Sequence, residues 1–172
     1  RSDCFACREA KARRMRRLQG AFEKKHVPMM KKFGDGVMLD HIDMVVRGAS
    51  TGIGGKGKTD ILSFHDIATG WVDCCAVDKK DWFETKFSLR QVVGSTSKSK
   101  IKCIFSDVSA VLRQMAKEFG AAWQPSIPGI HNSNAKIERT NQLILDGIRS
   151  TLAFAGLPGC FWPFAGPCWC FQ

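Results

Sequence analysis

The sequence predicts an α/β fold, in which strand patterns come first and helix and strand patterns then alternate. Residues 37–46 and 101–105 are short apolar runs that are interrupted or ended by acids, as buried strands at a polar edge often are. Residues 78–93, 109–119 and 133–152 carry apolar side chains at helical spacing. The chain has 172 residues, which is enough for one domain with a sizeable core and some appendage.

Three strand patterns open the core and predict an antiparallel meander. They cover residues 36–46, 59–66 and 71–77, and the pair Thr69-Gly70 between the last two suits a tight turn. The glycine-rich stretch 47–58 could be taken for a phosphate-binding loop. It lacks the Gly-Lys-Ser/Thr ending and the following helix that such a loop needs, so we interpret it as a flexible connection between two strands.

The remaining elements follow in a regular order. The patterns predict a helix over 78–93, a linker over 94–100, a strand ending at Asp107, a helix over 109–119 with Gly120 as its C-cap, a fifth strand over 121–124, a mobile Pro/Gly loop over 125–132, and a helix from Ser133.

Acidic residues stand at three informative positions in this order. Asp107 ends a buried strand, where open α/β sheets place their ligands, although local capping is its simpler role. Asp40 and Asp43 interrupt a buried strand on opposite faces, so only one of them can join a shared site. Glu138 lies in the first turn of a helix, where it can also serve as a dipole partner. Converging carboxylates from such elements would bind Mg²⁺.

Asp107 follows Asp40 after about sixty residues, and Glu138 follows Asp107 after about thirty. This order resembles the catalytic core of retroviral and retrotransposon integrases, the Asp-Asp-Glu group of the ribonuclease H-like fold. "IFSDVS", "ILSFHDIATGWVDCCAV" and "PSIPGIHNSNAKIERTNQLILDGIRSTLAFAGLPGCFWPFA" resemble further blocks of that family in the right order. The similarity covers roughly residues 34–166.

The resemblance implies a five-stranded mixed sheet flanked by helices on both sides. It also implies that Asp40, Asp107 and Glu138 are catalytic and hold two Mg²⁺ or Mn²⁺ ions. The activity implied is phosphodiester cleavage and strand transfer, which insert element DNA into target DNA, and the working form is a homo-oligomer. The family pattern gives Asp66 a structural role, so we place it outside the site.

Basic residues favour a nucleic acid as the partner, with an anionic membrane surface as the second choice. The formal net charge is +10, and residues 1–32 contribute eleven Lys and Arg against three acids. We expect residues 1–33 to form a basic arm, ahead of the core at 34–166 and a truncated extension at 167–172. The predicted nucleic-acid contacts are Arg13, Arg14, Arg16 and Arg17 in the arm, and Asn134, Lys136 and Arg139 around Glu138.

The positions of the cysteines in the sequence predict little disulfide bonding. Cys4 and Cys7 have the spacing of half a zinc site, but a closed site needs two more ligands, so Zn²⁺ is expected only in a longer parent protein and two free thiols are the alternative. Cys74, Cys75 and Cys103 lie in strand-like runs, where free cysteine packs as a small apolar residue. The cysteine positions favour a reducing, intracellular compartment. The resemblance to integrases implies the nucleus or a nucleoprotein particle.

The chain has no starting Met and ends in Trp-Cys-Phe-Gln, so we expect a fragment of a polyprotein. The sequence contains no run of 18 apolar residues, so it predicts no membrane span.

The turn after the second acid departs from the family. The family usually reads Asp-Asn-Gly-x-Glu, whereas this chain reads Asp107-Val-Ser-Ala-Val. Val108 cannot donate a hydrogen bond, and Ala110 would make any positive φ in this turn costly. We therefore expect metal binding weaker than in an intact family member, and joining activity that is low or absent. Two alternatives stay open: a degenerate, non-catalytic nucleic-acid-binding fragment, and a ribonuclease H-like nuclease without strand transfer.

Overall fold

The computed structural model describes residues 30–45, 51–53, 57–94, 101–126 and 135–172. Within these ranges there are five strands, four α-helices and one 3₁₀ turn. In chain order they are β1 (Val37–Asp43), β2 (Asp60–Asp66), β3 (Val72–Val77), α1 (Trp82–Val93), β4 (Cys103–Ser106), α2 (Ala110–Glu118), β5 (Ala122–Pro125), α3 (Ala135–Ala155), the 3₁₀ turn (Gly159–Phe161) and α4 (Trp162–Cys170). In the described part of the chain, no helix is both long enough and apolar enough to cross a membrane.

The strands form one mixed sheet in the order β3-β2-β1-β4-β5. The pairs β1–β2 and β2–β3 are antiparallel, which confirms the predicted meander. The pairs β1–β4 and β4–β5 are parallel. Helix α2 joins β4 to β5, and the chain runs from β1 to β4 through β2, β3 and α1. The predicted α/β class and five-stranded mixed sheet are therefore confirmed, and the topology is consistent with a ribonuclease H-like fold.

Capping side chains set where the predicted helices begin. The pattern predicts α1 from Asp78, but the helix begins at Trp82 because Asp81 caps it by accepting a hydrogen bond of 2.9 Å from the backbone N–H of Glu84. Ser109 caps α2 in the same way. Gly94, at φ 83°, ends α1 in a conformation that favours glycine. The predicted start of α3 at Ser133 lies outside the described residues.

Two apolar clusters form the core. The first contains Val37 and Leu39 of β1 together with residues of α1 and α2, and the second contains Ile42 of β1 together with residues of α3 and α4. Successive side chains of a strand point to opposite faces, so these β1 residues belong to opposite faces of the sheet. The two clusters are what helices on both faces of the sheet would produce.

Helix α4, the last described element of the chain, packs closely on the sheet and on α3. α4 continues past residue 166, the predicted end of the core, to Cys170. A Cβ at Gly147 of α3 would overlap the ring of Trp169, and a Cβ at Gly166 would lie 2.8 Å from Sγ of Cys74. These two glycines therefore let α4 approach α3 and β3 closely.

The buried carboxylate of Asp66 has a structural role, as predicted. It accepts hydrogen bonds from the backbone N–H of Gly34 (2.8 Å) and of Thr69 (2.8 Å), and from the Thr69 hydroxyl (2.7 Å). These bonds join the segment before β1 to the turn between β2 and β3, so Asp66 takes no part in the predicted site.

Candidate metal centre and nucleic-acid interface

Asp40 lies in the middle of β1, and its half-buried side chain faces α3. Its Oδ1 accepts a hydrogen bond of 2.8 Å from the His41 backbone N–H, and its Oδ2 accepts one of 2.7 Å from Nδ2 of Asn141. Burial raises the pKa of Asp40 above its usual 3.8; the Asn141 bond opposes this rise and the charge of Asp107 adds to it. A carboxylate oxygen can accept two hydrogen bonds, so each oxygen retains a lone pair for a cation.

Asn141 is the side chain that orients Asp40. It is only 7% exposed, and its Oδ1 accepts a hydrogen bond of 2.6 Å from the Ser63 hydroxyl. Ser63 lies directly opposite Asp40 in the β1–β2 pair and also reaches the Asp40 carbonyl oxygen at 3.2 Å. Because the Asn141 oxygen accepts from Ser63, its amide N–H is presented to Asp40. The bridge ties α3 to β1 and β2.

Asp107 lies beside Asp40 at the adjacent parallel strand. The β1–β4 register pairs Val37 with Ile104, and continuing it by three residues brings Asp40 opposite Asp107, one residue beyond the end of β4. Neighbouring strands are about 4.8 Å apart, and residues in register point to the same face. Partial desolvation raises the pKa of Asp107 although its side chain stays exposed, and the charge of Lys80 lowers it.

Glu138 lies in the first described turn of α3, three residues before Asn141, and is exposed. Residues three apart on a helix are neighbours at about 5–6 Å between Cβ atoms, so Glu138 lies one turn from the contact between Asn141 and Asp40. Among the described residues, no group of three or more His, Cys, Asp or Glu comes close enough to hold a metal ion. The structure thus brings Asp40 and Asp107 together, and the participation of Glu138 stays a prediction.

The chemistry of the two aspartates fits a divalent cation. Two carboxylates with raised pKa values lie side by side, one of them exposed, and hard oxygen donors of this kind are the ligands that Mg²⁺ and Mn²⁺ prefer. Burial is the main cause of the raised pKa of Asp40, and a bound cation would offset the smaller contribution of repulsion from Asp107.

Lys80 was not predicted from the sequence to act near the site. Its Nζ lies 3.2 Å from Oδ1 of Asp60 and 3.8 Å from Oδ2 of Asp43, and its charge lowers the pKa of both Asp40 and Asp107. Asp43, the alternative to Asp40, is therefore occupied by an ion pair and lies three residues along β1 from it, on the other face. Lys80 precedes α1 in a polar stretch, and nothing in its local sequence marks it.

The predicted nucleic-acid contacts are only partly described. Lys136 and Arg139 are both exposed in the first turns of α3, and partial desolvation lowers the pKa of Lys136 while the charge of Asp66 opposes that change. Their phosphate-contacting role stays a prediction. Seven of the predicted site residues lie outside the described part of the chain: Cys4, Cys7, Arg13, Arg14, Arg16, Arg17 and Asn134.

The turn after Asp107 corrects one expectation. Ala110 is the first residue of α2, and every described residue with positive φ is a glycine, so Ala110 does not need the backbone freedom of glycine. The expected backbone penalty at Ala110 is therefore wrong. Val108 is 66% exposed, which leaves an apolar side chain next to Asp107 where a polar one was expected.

A scan of the sequence against protein-family models gave no match, and a search of curated proteins found no similar sequence.

Proposed function

We propose that this chain is the catalytic core of a retroelement integrase, which cleaves and joins phosphodiester bonds of DNA with the help of divalent metal ions. The observation that carries the proposal is the alignment of Asp40 on β1 with Asp107, one residue beyond the end of the adjacent parallel strand β4, in a mixed five-stranded sheet. This juxtaposition agrees with the order of acids from which the resemblance was drawn.

Each residue of the site has a separate task. Asp40 is held by the amide of Asn141 and the backbone N–H of His41, so its carboxylate is oriented before a metal binds. Asp107 is exposed and supplies the second carboxylate, and Glu138 supplies a third from α3. Mg²⁺ or Mn²⁺, when bound, would polarise the phosphodiester and lower the pKa of the attacking water or 3′-hydroxyl.

DNA binding in this proposal depends on charge. The net charge of +10 favours a polyanion, and Lys136 and Arg139 lie on either side of Glu138 in sequence, where they can contact phosphates next to the acids. The proposal also includes a homo-oligomeric assembly, a location in the nucleus or a nucleoprotein particle, and Zn²⁺ in a longer parent protein that completes the pair Cys4 and Cys7.

A specific observation favours a second candidate, a degenerate core that binds nucleic acid without catalysis. Val108 presents an exposed apolar side chain beside Asp107, where a hydrogen-bond donor would hold the carboxylate or the substrate. A displacement of about 1 Å can reduce a catalytic rate on the order of a hundredfold. A ribonuclease H-like nuclease that cuts but does not join is the third candidate.

A nicking and joining assay separates these candidates. Short labelled duplexes are incubated with the full chain and Mn²⁺, and products that are shorter or longer than the substrate are resolved. We expect shorter products and at most a low yield of longer products from the natural sequence, and neither from Asp107→Asn. Asp146→Asn is the matched control, because Asp146 bonds to Gln142 and Arg149 on α3, one to two turns from Asn141.

Shorter products alone would identify a nuclease, and metal-independent binding without any cleavage would identify a degenerate core. Cleavage that survives Asp107→Asn would overturn the assignment of the acidic site.

A further inference from the structure

Two cysteines that the proposed function does not use lie in contact on the second apolar cluster. Cys74 is on β3 and Cys170 is the last residue of α4, and both are free thiols. Their sulfur atoms are 3.7 Å apart although the residues are 96 positions apart in sequence. A disulfide needs a sulfur–sulfur distance of about 2.05 Å, so small side-chain rotations would have to bring the two atoms together.

The close packing of α4 on β3 creates this contact. A Cβ at Gly166, one turn before Cys170, would lie 2.8 Å from Sγ of Cys74. Glycine at that position therefore lets the helix approach the strand closely enough for its last turn to place Cys170 over Cys74.

The two thiols differ in their access to solvent. Cys74 is 1% exposed, whereas Cys170 is partly exposed and lines a cavity of about 480 Å³. The cavity lies between residues 69–72 of the β2–β3 turn and the end of α4, at Trp169 and Gln172. A small molecule in this cavity can therefore contact Cys170, whereas Cys74 is shielded from solvent.

We propose that Cys170 and Cys74 form a thiol–disulfide exchange site for a low-molecular-weight disulfide such as oxidised glutathione. The Cys170 thiol gives up its proton to solvent, and its sulfur attacks the glutathione disulfide. That disulfide bond breaks, a Cys170–glutathione disulfide forms, and the first glutathione leaves as a thiolate that takes up a proton.

Cys74 completes the reaction as the resolving thiol. It loses its proton and attacks the Cys170 sulfur, which forms the Cys74–Cys170 disulfide and releases the second glutathione as a thiol. Two protein thiols are oxidised and one glutathione disulfide is reduced to two thiols. The neighbouring Cys170 thiol and burial both raise the pKa of Cys74, which disfavours the thiolate that this second step needs.

The product would be a covalent link between β3 and α4 that closes a long loop of the chain. Such a loop restricts the unfolded chain strongly, and a rise in Tm of about 10 °C is expected for the oxidised form of a protein of this size. In a reducing compartment the pair stays as two thiols and reports a shift toward oxidation. The inference does not depend on the acidic site.

The test treats the full chain with oxidised glutathione, quenches it with acid, alkylates the remaining thiols and maps the peptides by mass spectrometry. We expect a Cys74–Cys170 disulfide in the natural sequence. In Cys74→Ser, glutathione should accumulate on Cys170; in Cys170→Ser, Cys74 should stay unmodified. Cys168→Ser is the matched control, because Cys168 is exposed on the same helix and should leave the disulfide unaffected.

Thermal melts provide a second readout. The Tm of the natural sequence should rise by about 10 °C on oxidation and that of Cys74→Ala should not. The proposal is overturned if Cys74 stays a free thiol while other cysteines react, or if Cys74 reacts equally fast in Cys170→Ser. Mapping of the natural sequence decides the matter even if a variant fails to fold.

Discussion

Replacing Asn141 with alanine tests how strongly the site depends on one amide. The change removes a hydrogen bond of 2.7 Å to the Asp40 carboxylate and one of 2.6 Å from the Ser63 hydroxyl. Ser63 keeps its contact with the Asp40 carbonyl oxygen, so the carboxylate loses more than the hydroxyl does. A hydrogen bond to a charged group contributes about 1.5–3 kcal/mol, so we expect the free energy of unfolding at pH 7 to fall by about 2–3 kcal/mol.

The loss should depend on pH. The Asn141 bond lowers the pKa of Asp40 and is therefore stronger when Asp40 is ionised. Burial raises the folded-state pKa of Asp40 above 3.8, and as the pH falls through that raised pKa the bond becomes one between neutral groups. The loss should then shrink to about 1 kcal/mol, the contribution of a neutral hydrogen bond.

Urea unfolding at pH 7 and at about pH 3, below the usual pKa of an aspartate, measures both values. Gln142→Ala is the control, because Gln142 is exposed on the next position of α3 and bonds to Asp146; its loss should stay below about 0.5 kcal/mol at both pH values. A double-mutant cycle with Asp40→Asn isolates the pair. An equal loss at the two pH values, or full additivity with Asp40→Asn, would refute the proposed bond to an ionised carboxylate.

Three further predictions concern the cost of the site, the helix packing and the basic arm. Asp40→Asn should raise the free energy of unfolding at pH 7, because an aspartate whose pKa is raised in the folded state destabilises the fold as the pH rises above its unfolded-state pKa. Urea melts should show that this gain disappears in acid. A lower free energy of unfolding at pH 7 would contradict the prediction. Gly147→Ala should lower the free energy of unfolding by about 1–2 kcal/mol, because overlap of the new methyl group with Trp169 outweighs the better helix propensity of alanine. In urea melts the loss caused by Gly147→Ala should be smaller in the background of Trp169→Ala. An equal loss in both backgrounds would contradict the overlap. Removing residues 1–29, which keeps the contact of Met30 with Gly36, should weaken the binding of duplex DNA and reduce its dependence on salt concentration. Binding titrations at several salt concentrations measure this dependence. An unchanged dependence of affinity on salt would place the phosphate contacts elsewhere.

Local patterns in the sequence were sufficient for the order of the elements. The strand patterns in 59–66 and 71–77 and the apolar run before Asp107 correspond to β2, β3 and β4. The position of Asp107 after a strand and of Glu138 in a first helical turn followed from the same patterns. Helix starts shifted by up to four residues, since a capping side chain such as Asp81 decides the first turn.

Contacts between distant elements could not be derived in this way. Asn141 and Gln142 have similar side chains and adjacent positions, yet only Asn141 is buried against Asp40, because the packing of α3 on the sheet selects its face. The alignment of Asp40 with Asp107 depends on the β1–β4 register, and the proximity of Lys80 depends on the path of the chain after β3. The contact between Cys74 and Cys170 likewise arises only when α4 docks on β3.

Metal binding by the acidic site is the central claim, and the relaxation of water protons by Mn²⁺ measures it directly. Titrating the full chain with Mn²⁺ near pH 7.5 should reveal a saturable site in the natural sequence and in the control Asp146→Asn. Asp40→Asn and Asp107→Asn should each weaken binding at least about tenfold, because each removes one charged oxygen ligand. Equal Mn²⁺ affinity in the natural sequence and in both variants would contradict the claim that Asp40 and Asp107 form a metal centre.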